Sequence, residues 1–187
     1  MQKLLVFNGI SVDGYFTGVG NDLNWAHNPA PDPEWDAFVA NNASGGGTLL
    51  FGRVTYDMMA SFWPTDQAKQ QLPTVAAGMN SMKKLVFSRT QDTLRWSNTE
   101  VLKGDIVEQV RKLKEQPGKG IVILGSGSIV AQLAPAGVID EYQMVVAPVA
   151  LGGGRTMFEG MNEKLQLKLT KSRAFNNGNV LLCYEPK

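Results

Sequence analysis

Thr48-Leu-Leu-Phe-Gly-Arg-Val-Thr-Tyr56 runs from an unbroken apolar segment, through a glycine, into an arginine and a hydroxyl at the head of a helical pattern over 54–61. An apolar run without polar alternation suits a strand covered on both faces, as in a parallel sheet. Three further runs have the same design: Leu4-Leu-Val-Phe7, Lys84-Leu-Val-Phe87 and Ile121-Val-Ile-Leu124, each leading into a Gly or Ser turn. Between them lie helical stretches. One opens with Asp32 as N-cap and Pro33 at the first helical position, runs to about residue 43 and stops at Gly45-Gly-Gly47. Others are expected over 66–82, 105–115 and 128–134. Strand and helix alternate, which signals right-handed crossovers and an α/β layer structure. After Gly137 the helical pattern disappears, and 140–146, 165–175 and 179–184 read as strands, the last two joined by the hairpin turn Asn176-Asn-Gly178.

The chain has 187 residues without an internal repeat or a linker-like tract, so one domain over 1–187 with one core is expected. Eighteen Lys+Arg against 17 Asp+Glu leave a net charge of +1, far from the basic face that a nucleic-acid backbone demands. A bound anion must therefore be held by a few placed cations and N–H groups, which favours a small phosphorylated ligand. The first apolar run is too short for a signal-peptide core, and no stretch approaches the roughly 20 apolar residues of a membrane span. The single cysteine, Cys183, forms no internal disulfide and reads as a buried thiol in a strand. These features fit a cytoplasmic protein without nucleic-acid or membrane partners, and no Cys/His pattern suggests a metal.

In an open parallel sheet, ligands bind where strands end and helices begin, because unpaired N–H groups and partial positive charge gather there. Gly52, Arg53 and Thr55 form one such junction, offering backbone approach, a cation and a hydroxyl. Ser88, Arg89 and Thr90 form a second. Two arginines at equivalent strand ends favour NADPH over NADH, since a ribose 2′-phosphate needs guanidinium partners. Gly125-Ser-Gly-Ser-Ile129 forms a third, a glycine turn opening a helix, suited to a pyrophosphate. It is neither a full Gly-x-Gly-x-x-Gly, since Val130 stands at the third glycine, nor a P-loop. The first strand ends in Asn8-Gly-Ile-Ser-Val-Asp-Gly-Tyr15, where Asp13-Gly14 reads equally as a plain turn, and leads into a long loop that contains Trp25 and His27.

The ordered set Ser11-Val-Asp-Gly-Tyr15, Phe51-Gly-Arg-Val-Thr-Tyr56 with Phe62-Trp-Pro64, Val86-Phe-Ser-Arg-Thr90, Gly125-Ser-Gly-Ser128, Ile139-Asp-Glu-Tyr142 and Pro148-Val-Ala-Leu-Gly-Gly-Gly-Arg-Thr-Met-Phe158 resembles the dihydrofolate-reductase-like superfamily. It most closely resembles stand-alone relatives of the reductase domain of bifunctional riboflavin-biosynthesis deaminase-reductases, the RibD C-terminal domain family. The resemblance implies a three-layer α/β/α fold with a mostly parallel eight-stranded sheet and an antiparallel C-terminal end. It implies NADPH held by Gly52, Arg53, Thr55, Ser88, Arg89, Thr90, Gly125, Ser126, Gly127, Ser128 and Ile129. The nicotinamide would lie against Asn8, Gly9 and the loop that carries Asp13 and Phe16. A homodimer through the C-terminal antiparallel strands is a further implication.

By the same resemblance, the activity is hydride transfer to a small pteridine, pyrimidine or related carbonyl or imine substrate, nearest to 5-amino-6-(5-phosphoribosylamino)uracil reductase. Dihydrofolate reductase and a non-catalytic nucleotide-binding module stand as alternatives. Candidate proton donors are Glu34, Asp36 and Asp13, although acids in a helix's first turn are favoured by the helix dipole alone. Trp25, Trp35, Phe38 and Trp63 are candidates to wall a flat substrate, or are core packing. His27 and Arg155 read as loop and surface residues, or as a proton donor and a phosphate contact. The glycine-rich Leu151 to Arg155 turn is similar to a family feature and reads as a structural or dimer-contact element.

Overall fold

The structure is a computed structural model and describes residues 1–26, 30–90 and 94–187. Ten strands follow in order: β1 (Leu4–Ser11), β2 (Tyr15–Thr17), β3 (Thr48–Gly52), β4 (Lys83–Phe87), β5 (Thr99–Leu102), β6 (Ile121–Leu124), β7 (Glu141–Ala147), β8 (Arg155–Thr156), β9 (Leu167–Ala174) and β10 (Val180–Pro186). Eight of them form one sheet in the order β5-β4-β3-β6-β1-β7-β10-β9. The pairings from β5 through to β7 are parallel. β10 is antiparallel to both its neighbours, so the C-terminal hairpin reverses one strand, and β9 again points with the parallel set. The expected mostly parallel sheet with an antiparallel end is what forms.

The helices are α1 (Pro33–Ser44), α2 (Arg53–Phe62), α3 (Asp66–Gln71), α4 (Pro73–Ser81), α5 (Ile106–Glu115) and α6 (Gly127–Leu133). The stretch expected as one helix over 66–82 is two. Leu72, at φ −136 and ψ 60, breaks it, because a residue before proline is steered out of the helical region, while Pro73 is well placed to start the next helix. β5 escaped the sequence pattern because Thr99-Glu-Val-Leu102 is a short edge strand, with Glu100 paired to Lys83 at 2.8 Å. The two-residue β8, which pairs with β2 in a separate ladder, is too short to carry a periodic signal.

Successive strand residues face opposite layers. Leu50, Leu85, Ile121 and Ile123 pack under α5 and α6 with Val110, Ile129 and Leu133. Leu49, Phe51 and Val86 pack against α1, α2 and α4 with Ala43, Tyr56 and Met79. A third cluster, Val145, Phe175, Leu181 and Cys183 with Phe7, Trp35 and Phe38, joins α1 to the C-terminal hairpin. Each fully buried Leu or Ile contributes on the order of 2 kcal/mol.

Two charged residues, Lys84 and Asp32, are buried among the described residues. Lys84 is 0% exposed; its Nζ donates to the carbonyls of Asn80, Met82 and Ser97 at 3.0, 2.8 and 3.1 Å and sits 4.4 Å from the Trp96 ring centroid. Trp96 in turn donates from its N to Tyr56 Oη and from its Nε1 to Asn80 Oδ1. The lysine thus ties the end of α4 to the chain entering β5. Asp32 caps α1 as expected, accepting from the N–H groups of Glu34 and Trp35, and also accepts from Asn177 N in the β9–β10 turn. Burial pushes its carboxyl up, but the donors at Trp35, Asn177, Glu34 and Asn176 outweigh this and lower it.

Candidate functional site

The carboxyl ends of β1, β3, β4 and β6 lie side by side, and the turns that leave them interlock. Gly52 N donates to Ser126 Oγ at 2.7 Å, joining the β3–α2 junction to the β6–α6 junction. Gly125 N donates to Asn8 Oδ1 at 2.6 Å, joining the latter to the end of β1. A Cβ on Gly125 would stand 2.9 Å from Thr55 Cγ2, and one on Gly52 would stand 3.4 Å from Ile129 Cγ1 and Ser126 Oγ. Gly125 and Ser126 are both left-handed, at φ 57 and φ 61. That conformation costs a serine roughly 1 kcal/mol, and the Gly52 N–H bond helps to hold it.

Neither α2 nor α6 has a side-chain cap, unlike α1, α3 and α5, which are capped by Asp32, Thr65 and Asp105. α4, which follows α3 directly, is also without one. The first N–H groups of the ten-residue α2 therefore face the strand ends with their partial positive charge. Arg53 stands at that end and pairs with Asp57 at 2.6 Å, both about half exposed. Such a surface pair is worth about 1 kcal/mol or less, so it does not immobilise the guanidinium against a phosphate. Ser88 is buried at the end of β4, beside Gly52's strand, and Arg89 and Thr90 beyond it are exposed.

The end of β1 is closed by two short segments. The Phe16 ring lies against Gly127, where a Cβ would come within 2.9 Å of Cε1 and Cζ. Met157, just after β8, is buried, and its sulfur accepts from Asn8 Nδ2 at 3.0 Å. Asn8 therefore has its amide committed to Gly125 and Met157 and supports the turn from beneath. The indole of Trp25 comes within 3.8 Å of where a Gly9 Cβ would be.

Asp13, one of the candidate proton donors, is engaged as an acceptor. Its carboxylate accepts from Ser11 Oγ at 2.6 Å, from Gly152 N at 2.7 Å and from Leu151 N at 3.1 Å. These donors, Ser11 first, then Gly152 and Leu151, lower its pKa to about 2, so at neutral pH it is an ionised anchor. Glu34 is also committed: it pairs with Arg173 on β9, three strands from β1, where the guanidinium stacks 4.6 Å from the Phe175 ring centroid. Asp36, on the same helix, is exposed.

The candidate aromatic wall residues Phe38, Trp35 and Trp63 fall in two packing clusters. Phe38 and Trp35 pack with Phe7 and Phe175 at centroid distances of 5.1 to 6.1 Å. Trp63 belongs to another cluster, with its Nε1 on Met59 Sδ and its carbonyl accepting from Asn80 Nδ2. Arg155 forms an exposed pair with Glu159. His27 lies outside the described residues. The sequence left Met157 and the partners of Asp13 without a role; their signal was the Pro148 to Phe158 motif. Among the described residues no group of acids, His and Cys could hold a metal, and no helix is long and apolar enough to cross a membrane.

The chain matches the RibD C-terminal domain over residues 2–181 and belongs to that family. It is similar to the uncharacterized protein YyaP of Bacillus subtilis (strain 168), at 29% identity over 184 residues, covering 98% of this chain and 94% of YyaP. Among solved structures, a Shewanella sp. PV-4 protein ascribed to riboflavin biosynthesis superposes with a TM-score of 0.74 at 22% identity, covering 100% of this chain and 99% of that one. Dihydrofolate reductase from Enterococcus faecalis, complexed with NADP(H) and RAB-propyl, gives a TM-score of 0.65 at 15% identity, covering 99% and 96%. At these identities the two structures establish the fold, which is dihydrofolate-reductase-like.

Proposed function

We propose that this member of the RibD C-terminal domain family is an NADPH-dependent reductase of a small pteridine, pyrimidine or related carbonyl or imine compound. The nearest named activity is 5-amino-6-(5-phosphoribosylamino)uracil reductase. The observation that carries this reading is the interlocking of the strand-end junctions through Gly52–Ser126 and Gly125–Asn8. The residues present fit the cofactor: an uncapped α2 start and the Thr55 hydroxyl for phosphate oxygens, and Arg53 and Arg89 at adjacent strand ends for a 2′-phosphate.

When bound, NADPH supplies the hydride. The chain's own work is to orient it and keep water out. Ser126 and Asn8 hold the turns in register, Phe16 and Trp25 cover the end of β1, and Gly9 leaves room for a planar ring. With Asp13 and Glu34 committed elsewhere, Asp36 is the carboxylate assigned to relay a proton.

A nicotinamide-fluorescence titration with NADPH and NADH tests the cofactor side. Tight NADPH binding is expected, and Arg53→Ala and Arg89→Ala should each cost NADPH about 1.5–3 kcal/mol more than NADH. Equal binding of both nucleotides by the unaltered protein would refute the argument. The commitment of two of the three candidate acids favours a second reading, a nucleotide-binding module without turnover. Assays with dihydrofolate and the riboflavin-pathway pyrimidine separate the readings: oxidation of NADPH by either substrate excludes the second.

A further inference from the structure

The turn from Leu151 to Gly154 is left without a task by the cofactor junctions, yet it is bound to the distant loop after β1 by several hydrogen bonds. The N–H groups of Leu151 and Gly152 both end on the Asp13 carboxylate, which also accepts from Ser11 Oγ. Val12 N donates to Val149 O at 2.8 Å beside it. Further along, β2 pairs with β8 through Tyr15–Thr156 and Thr17–Arg155. Gly154, at φ 143, lies so close that a Cβ would stand 2.0 Å from Thr17 O. Both segments then turn inward at the same place: Phe16 from β2 lies against Gly127, and Met157 after β8 binds Asn8.

We infer that Asp13 is a positioning residue, a charged clamp whose grip on Leu151 and Gly152 sets Phe16 against the Gly125 to Ile129 turn and so shapes the nicotinamide end of the cofactor groove. The inference rests on the proposed NADPH site. The physical argument is one of leverage. β2 is three residues long and pairs only with a two-residue strand, too little ladder to fix a loop alone. Charge-assisted bonds to a carboxylate are roughly twice as strong as neutral ones, and two of those on Asp13 come from backbone across the ladder. Asparagine is nearly the same size but has no charge, and it offers one acceptor oxygen in place of two.

The test compares two ligands on three proteins: unaltered, Asp13→Asn and Gly154→Ala. NADPH spans the whole groove, whereas adenosine 2′,5′-bisphosphate has the adenosine end and no nicotinamide. Both variants should weaken NADPH roughly tenfold or more while adenosine 2′,5′-bisphosphate binds within about twofold of the unaltered protein. Gly154→Ala attacks the clamp from the opposite strand, so a shared pattern does not depend on one variant. Equal loss of both ligands would mean general damage to the fold, and unchanged NADPH binding would mean that Phe16 needs no clamp; either overturns the inference. If the unaltered protein binds neither ligand, the cofactor reading fails first and the inference falls with it.

Discussion

Lys84→Met removes a full positive charge from the core and should change how stability depends on pH. Burial lowers the Lys84 pKa from 10.5 to about 8, whereas the unfolded chain keeps the ordinary value. Between those limits the unfolded chain binds more protons than the folded one, so stability rises with pH across the window. At about 1.4 kcal/mol per pH unit, the gain from about pH 7 to about pH 9.5 comes to about 2 kcal/mol. The burial that raises the Cys183 thiol, and Tyr142 to about 12, works in the opposite direction as pH rises. Both groups remain in the variant, so they cancel in the difference. At about pH 7, stripping three carbonyls of their donor should outweigh the desolvation recovered, leaving the variant less stable by about 2 kcal/mol. That gap should widen to about 4 kcal/mol near pH 9.5. Urea unfolding followed by tryptophan fluorescence suits the measurement, because Trp96 is buried against the lysine. A gap that stays constant with pH would refute the claim that burial, rather than its three carbonyl partners and the indole, governs this lysine.

Two further substitutions address the junctions. Ser126→Ala leaves Gly52 N without its acceptor and keeps the left-handed strain, and should lower stability by about 1–2 kcal/mol. Ser126→Gly loses the same bond but relieves the strain, so it should be the milder change by about 1 kcal/mol; thermal melts that rank them in reverse would contradict the strain argument. Gly127→Ala drives a methyl into the Phe16 ring and should cost about 1–3 kcal/mol in stability. Combining it with Phe16→Leu should recover part of that loss, and strict additivity of the two changes in chemical denaturation would show that they do not touch.

The readable parts of the molecule are those in which neighbouring residues carry the information. The four apolar runs became β1, β3, β4 and β6, the Asp32 cap and Pro33 opened α1, and the Asn176 to Gly178 turn formed with Gly178 at φ 87. Where local signals failed, a specific physical cause can be named. Helix periodicity alone could not locate the break that Pro73 imposes on Leu72. β5 is an edge strand with half its residues polar, so it lacks the apolar run that marked its neighbours. Lys84 stands in sequence at the head of an apolar run, and only the carbonyls of Asn80, Met82 and Ser97 converging on it reveal a buried cation.

By itself the sequence determined the strands β1, β3, β4 and β6, the helices α1, α2, α5 and α6, and the layout of the candidate junctions, because each is written in consecutive residues: an apolar run, a small turn, then a cation or hydroxyl. It could not determine what the carboxylates do. Asp13 and Leu151 are 138 residues apart, and Glu34 and Arg173 are 139. A carboxylate's protonation and role are set by the donors that fold around it, and here Leu151, Gly152 and Arg173 reach the carboxylates only in the finished fold.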